Sequence, residues 1–122
     1  MQYLLMCCFD EDRWEKIPEP ERNAIMQQYG EFQRSLAASG HYLAGAKLGP
    51  SASATTVREK AGKAVITDGP FAETKEQLGG YHLLDCKDLD EAISIAQRIP
   101  TLRAGGVVEV RPLEFGIEGA TR

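Results

Sequence analysis

From Gln2 to Phe9 the chain carries apolar side chains at alternating positions of both sets, Tyr3, Leu5 and Cys7 on one and Leu4, Met6 and Cys8 on the other. Neighbouring side chains of a strand point to opposite faces, so a strand with one wet face alternates apolar with polar. This segment does not alternate. It reads as a central strand covered on both sides, and any fold that holds it must supply an apolar layer to each face of its sheet.

The rest of the chain supplies one such layer. From Pro18 to Ser39, Ile25, Tyr29, Phe32 and Leu36 recur at i, i+4, i+7 and i+11 among polar residues, which is the stripe of an amphipathic helix. Glu19 and Glu21 suit its positive end, and Gly40 supplies a stop. A second helix is expected at Asp88-Leu89-Asp90-Glu91, a capping-box pattern. Its apolar face reads as Leu89, Ala92, Ile93, Ala96 and Ile99, with Pro100 as its stop.

Between and after these helices lie strand-like segments. They are His41 to Lys47, a hairpin of Ala54 to Glu59 and Lys63 to Asp68 turning at Lys60-Ala61-Gly62, then Gly80 to Cys86, and Val107 to Leu113. Pro112 fits an edge or a strand end. The order is the split βαβ plan of a ferredoxin-like α+β domain with an added hairpin. Two helices cover one face of such a sheet, and a second copy of the chain is the economical cover for the other, so a homodimer is expected. One domain over 1–115, followed by a flexible tail over 116–122, accounts for the 122 residues.

Net charge is −4, with the basic residues scattered, so no concentrated positive field exists for nucleic acid. No apolar run is long enough to span a bilayer, and the opening segment lacks a basic start and meets Asp10-Glu11-Asp12 at once. Three cysteines, two of them adjacent, argue against a disulfide framework and for a reducing cytoplasm; Cys7, Cys8 and Cys86 read as small core residues. Neither zinc-ligand spacing nor a phosphate-cradling glycine loop is present, and no cofactor is expected.

Chemistry-bearing residues gather behind the hairpin. Asp68-Gly69-Pro70 has a structural reading, in which Asp68 bonds amides of a turn opened by Gly69 and stiffened by Pro70, and a functional one, in which the turn fixes Asp68 and Glu73 near Lys75. Glu76 reads as solvated. His82 lies among apolar neighbours, either as a satisfied structural histidine facing the dimer side of the sheet or as an acid–base partner. His41 suits the negative end of the first helix. Arg58 and Arg111, on strands, are exposed, paired with Glu109 or Glu114, or part of an anion site.

The segment from Val65 through Thr67-Asp68-Gly69-Pro70-Phe71-Ala72-Glu73-Thr74-Lys75-Glu76-Gln77-Leu78-Gly79-Gly80-Tyr81 resembles the signature of the Asp-Gly-Pro-Phe branch of YCII-related proteins. The likeness extends upstream through Ala54-Thr55-Thr56-Val57-Arg58 and downstream through Leu89-Asp90-Glu91-Ala92 and Val108-Glu109-Val110-Arg111-Pro112. It implies a dimeric α+β barrel, the class already read from the pattern. It also implies relatives that include small cofactor-free isomerases and lyases, and some encoded beside extracytoplasmic-function sigma factors. Other YCII-type proteins place a histidine and an aspartate in a cleft beside the sheet, and Asp68 is the acidic candidate.

The expected function is a homodimeric, cofactor-free small-molecule-binding or accessory regulatory protein. Its pocket is expected between the sheet and the loop from Asp68 to Gly80, with Arg58, Gly69, Pro70, Phe71 and Lys75 against the ligand. Two alternatives stand beside it. One is an acid–base isomerase or lyase for a small organic acid or aromatic, with Asp68 as base and Glu73 or His82 as the second group; the other is a module associated with a sigma factor.

Overall fold

A computed structural model describes residues 1–117. Six strands and three helices follow one another as β1 (Gln2–Phe9), α1 (Glu11–Lys16), α2 (Glu19–Ser39), β2 (Tyr42–Lys47), β3 (Thr55–Lys60), β4 (Lys63–Asp68), β5 (Gln77–Asp85), α3 (Leu89–Ala96) and β6 (Val107–Pro112). β2, β5, β1 and β6 form one sheet in that order, and every hydrogen-bonded pair in it is antiparallel. β1 and β2 therefore flank β5, and β5 and β6 flank β1, as a split βαβ arrangement requires. β3 and β4 pair only with each other, as an added hairpin whose Ala61 and Gly62 both take positive φ at the turn.

The two-sided apolar pattern of β1 is resolved by its register. Leu5 stands opposite His82 on β5 and Val110 on β6, while Tyr3 faces Leu84. These residues, with Cys7, point at the helices. Tyr3, Leu5, Cys7 and Leu84 join Phe32, Leu36, Ala92, Ile95, Ala96 and Ile99 in one buried core. On the reverse face Leu4 pairs with Leu83, Met6 with Tyr81 and Cys8 with Val107. Leu4, Met6, Cys8 and Tyr81 are only half-buried there.

Local chemistry explains most boundaries. Gly40 ends α2 in the left-handed region at φ 80° and its N–H donates to the Ala37 carbonyl. Asp88 caps α3 by accepting from the Glu91 N–H at 2.9 Å, and the Glu91 carboxylate accepts from the Lys87 N–H. β6 ends on Pro112 at the sheet's edge.

Three expectations need correction. α1 was not anticipated; it is one short helix capped by Asp10, whose carboxylate accepts from the Asp12 and Arg13 amides. α3 stops at Ala96, and its buried stripe runs through Ala92, Ile95 and Ala96, leaving Leu89 47% and Ile93 39% exposed. Ile93 lies about 100° around the helix from Ala92, off the line that continues to the buried Ile99. His82 faces the helices rather than the uncovered side of the sheet, because it is in register with Leu5. Of the expected tail over 116–122, Ile117 is bonded through both N–H and C=O to the Gln2 amide, and 118–122 lie outside the described residues.

Candidate functional site

A cavity of about 290 Å³ opens between the sheet and the helices. Its apolar walls come from Phe9 on β1, Trp14 on α1 and Met26 and Tyr29 on α2, and Gly79 and Gly80 on β5 floor it. It exists because of two local departures from regular structure. In the β1–β5 register Cys7 meets Gly80 but Cys8 meets Leu78, so Gly79 is the extra residue of a bulge. A Cβ on Gly79 would stand 2.1 Å from the Phe9 ring, and one on Gly80 would stand 2.8 Å from the Ala46 carbonyl oxygen. Only glycines let Phe9 lie over the bulge and β2 close against β5.

At the inner end of the cavity Tyr29 and His82 meet. The Tyr29 hydroxyl is hydrogen-bonded to His82 Nε2 and lies 3.7 Å from Cys7 Sγ. The two rings stack with centroids 5.6 Å apart, and Phe32 meets the imidazole in a T-shaped contact with centroids 5.8 Å apart. His82 is 3% exposed, and burial pushes its pKa down, so the imidazole is neutral at physiological pH. Burial likewise pushes the Tyr29 hydroxyl and the Cys7 thiol up, which keeps both protonated.

His82 Nδ1 is buried and has no hydrogen-bond partner among the described residues. Close approach of β2 is the cause: a Cβ on Gly45 would lie 3.2 Å from Nδ1. A neutral imidazole has one N–H, and an unpaired buried donor is the costlier orphan, so the proton is assigned to Nε2. His82 then donates to the Tyr29 oxygen. The Tyr29 proton is left to point at the Cys7 sulfur, a weak acceptor, or at whatever enters the cavity.

Charges stand at the rim. Lys47, at the end of β2, lines the cavity, is exposed, and has no ion pair among the described residues. Asp10 also lines it, and its carboxylate is engaged by the α1 amides. The Glu11 carboxylate is taken by Ser51, through both backbone N–H and hydroxyl.

Of the candidate catalytic and ligand-binding residues named from the sequence, His82 alone lines this cavity. Asp68, Pro70, Phe71, Glu73 and Lys75 are exposed on the hairpin and the loop after it, and Phe71 is 77% exposed. The cavity meets that stretch only at Gly79 and Gly80, on β5 beyond the loop. The turn at Asp68 is held by other groups: the Gly69 N–H donates to the Ala54 carbonyl, the Thr56 hydroxyl to the Gly69 carbonyl, and Arg58 Nη2 to the Phe71 carbonyl at 2.8 Å. Arg111 pairs with Glu109. His41 lies between the Ser39 hydroxyl and Glu91, tying the end of α2 to α3.

Tyr29, Lys47 and Trp14 were missed as site residues. Tyr29 was read as one member of a core stripe, and nothing in its spacing distinguishes a half-buried tyrosine over a cavity from a packed one. No group of three or more His, Cys, Asp or Glu side chains among the described residues could hold a metal ion. No described helix is long and apolar enough to cross a membrane.

The fold resembles that of 5-chloro-2-hydroxyhydroquinone dehydrochlorinase from Burkholderia phenoliruptrix AC1100, solved with 2,5-dihydroxybenzoquinone. The two share a TM-score of 0.56 and 15% identity over 95% of this chain and 96% of that one. That neighbour is of the dimeric α+β barrel type, and the likeness is one of fold, helices packed on one antiparallel sheet. An uncharacterized protein of Rhizobium meliloti (strain 1021) is 39% identical over 114 residues, 93% of this chain and 92% of that protein. The model of the YCII-related domain matches residues 1–115, and the chain belongs to the YCII-related family.

Proposed function

We propose that this YCII-related protein is a homodimer that binds a small, flat organic molecule in the cavity beneath α2. The observation that carries the reading is the juxtaposition of apolar walls with one inward polar pair, Tyr29 and His82. Ligand sites combine apolar area, which supplies affinity, with a few placed polar groups, which supply orientation. The volume of about 290 Å³ suits a single substituted ring. Homodimerisation follows from the half-buried Leu4, Met6, Cys8 and Tyr81 on the reverse face of the sheet, which a second copy would cover.

Acid–base chemistry on such a ligand is the second reading, and the Tyr29–His82 bond favours it. Tyr29 can donate its proton to a ligand oxygen on which negative charge develops, while His82 Nε2–H, hydrogen-bonded to the phenolic oxygen, steadies the charge left on it. The structural neighbour, alike in fold, is a 5-chloro-2-hydroxyhydroquinone dehydrochlorinase solved with 2,5-dihydroxybenzoquinone, a single substituted ring. On this reading Tyr29 and His82 carry the acid–base role, while Asp68 and Glu73 stand exposed at the end of β4 and on the loop after it.

A thermal-shift titration with hydroxylated benzenes and benzoquinones tests the reading. At least one compound should raise the melting temperature of the wild type in proportion to the logarithm of its concentration. Tyr29→Phe should weaken that binding by about three- to tenfold, the worth of one hydrogen bond. Equal shifts for wild type and variant, or no shift across the series, would contradict it.

A further inference from the structure

The cavity has two polar ends. One is the Tyr29 hydroxyl, held by His82 and facing only the weak acceptor Cys7 Sγ at 3.7 Å. The other is Lys47. In the β2–β5 register Gly45 pairs with His82 and Lys47 with Gly80, so Lys47 is two residues further along the same strand and on the same face. Two residues of strand span about 7 Å. Lys47 therefore stands about two strand residues beyond the level of His82 on the same face, a separation along β2 on the scale of one aromatic ring.

Each end has an unmet preference. With Nε2–H donating to the Tyr29 oxygen, the remaining tyrosine proton seeks a better acceptor than sulfur, and a ligand hydroxyl or carbonyl oxygen provides one. Asp10, the carboxylate that lines the cavity, already accepts from the Asp12 and Arg13 amides. Arg13 adds a second positive charge nearby, its guanidinium lying against Gly105 beside the cavity-lining Ala104. Lys47 is left as the cation without an ion pair among the described residues that line the cavity.

From these ends we infer that the ligand is a small aromatic acid, a ring bearing a carboxylate that sits on Lys47 and, across the ring, an oxygen that accepts from Tyr29. The ring itself lies among Phe9, Trp14, Met26 and Tyr29. Phe9 and Trp14 meet edge to face with centroids 6.2 Å apart, which leaves an aromatic face and an aromatic edge to receive it. The inference rests on the cavity being the binding site, as proposed above.

A matched pair of probes separates the two claims. Binding of 4-hydroxybenzoate and of 4-hydroxybenzamide is measured by calorimetry at low salt, on wild type and on Lys47→Gln. The acid should bind wild type about two- to fivefold more tightly than the amide, the worth of one exposed ion pair. Lys47→Gln should reduce that preference to near one without weakening the amide, and added salt should erode it in the wild type alone. Equal affinity of acid and amide for wild type would overturn the acidic-ligand inference and leave the cavity reading standing. Binding of neither probe, or binding of both that Tyr29→Phe leaves unchanged, would overturn the two together. Lys47 is exposed at the end of β2, so its substitution does not threaten the fold.

Discussion

Tyr29 reaches from α2 across the core to hydrogen-bond Nε2 of His82 on β5, and this contact joins the helix layer to the sheet at the inner end of the cavity. The two rings stack, and the second imidazole nitrogen has no partner among the described residues. A buried polar pair that is only partly satisfied costs the fold something, which is the pattern of side chains kept for a task rather than for stability. Cys7 stands beside the Tyr29 hydroxyl, and Gly45 and Phe32 stand beside the imidazole.

Acid should reveal His82. Its folded pKa lies below the ordinary 6.5 because burial disfavours the imidazolium, so below pH 6.5 the unfolded chain binds a proton that the folded chain refuses. The associated stability is present above pH 6.5 and lost as pH falls. Denaturation at pH 7.5 and 5.0 should show the wild type losing up to about 1.4 kcal/mol per unit below pH 6.5 from this group, and His82→Phe losing less. The imidazole proton resonances of His82 should titrate below pH 6.5; titration at or above that value would refute the assignment.

Much of the fold was legible because it rests on period and punctuation. The α2 stripe of Ile25, Phe32 and Leu36, the Gly40 stop, the Asp88 cap and the hairpin turn each follow from local chemistry. The site was far less legible. A loop dense in charge, from Asp68 to Lys75, drew attention, yet it stands exposed. The cavity depends on the Gly79 bulge and on Phe9 lying over it, and a bulge is a register event between distant segments that one strand's sequence does not record. His82 was recognised and placed on the wrong face, because a strand apolar on both sides gives no sign of which face the helices take.

Thiol reactivity should follow burial. Cys7 and Cys86 are buried, whereas Cys8 is half-buried on the uncovered face with its pKa pushed up by burial and by Glu109 and Glu76. A thiol reagent at pH 8 should label Cys8 slowly and the other two only in denaturant. Rapid native labelling of Cys7 or Cys86 would mean that the core opens.

The proposed dimer should depend on the reverse face. Light scattering at micromolar concentration should return twice the chain mass, and Leu4→Glu, which puts a charge between Leu83 and Arg111 on that face, should return the monomer. A monomeric wild type would remove the second copy from the account.

Asp68 should be structurally dispensable. Its carboxylate has no hydrogen-bond partner among the described residues, so Asp68→Asn and Asp68→Ala should each change stability by less than about 0.5 kcal/mol. Thr56→Val, which removes the donor to the Gly69 carbonyl, should cost about 1 kcal/mol. Urea denaturation of the three variants decides it, and an Asp68→Ala loss larger than that of Thr56→Val would show a bond absent from this arrangement.

The central claim is that the cavity under α2 is where this protein meets its ligand. Amide chemical-shift mapping with 4-hydroxybenzoate tests it directly. The account predicts shifts concentrated at Gly30, Lys47, Gly79 and Gly80, which line the cavity, with Arg58, Asp68 and Phe71 on the hairpin and its loop unmoved. Shifts confined to the hairpin and the loop from Asp68 to Lys75, with the cavity amides unchanged, would contradict it.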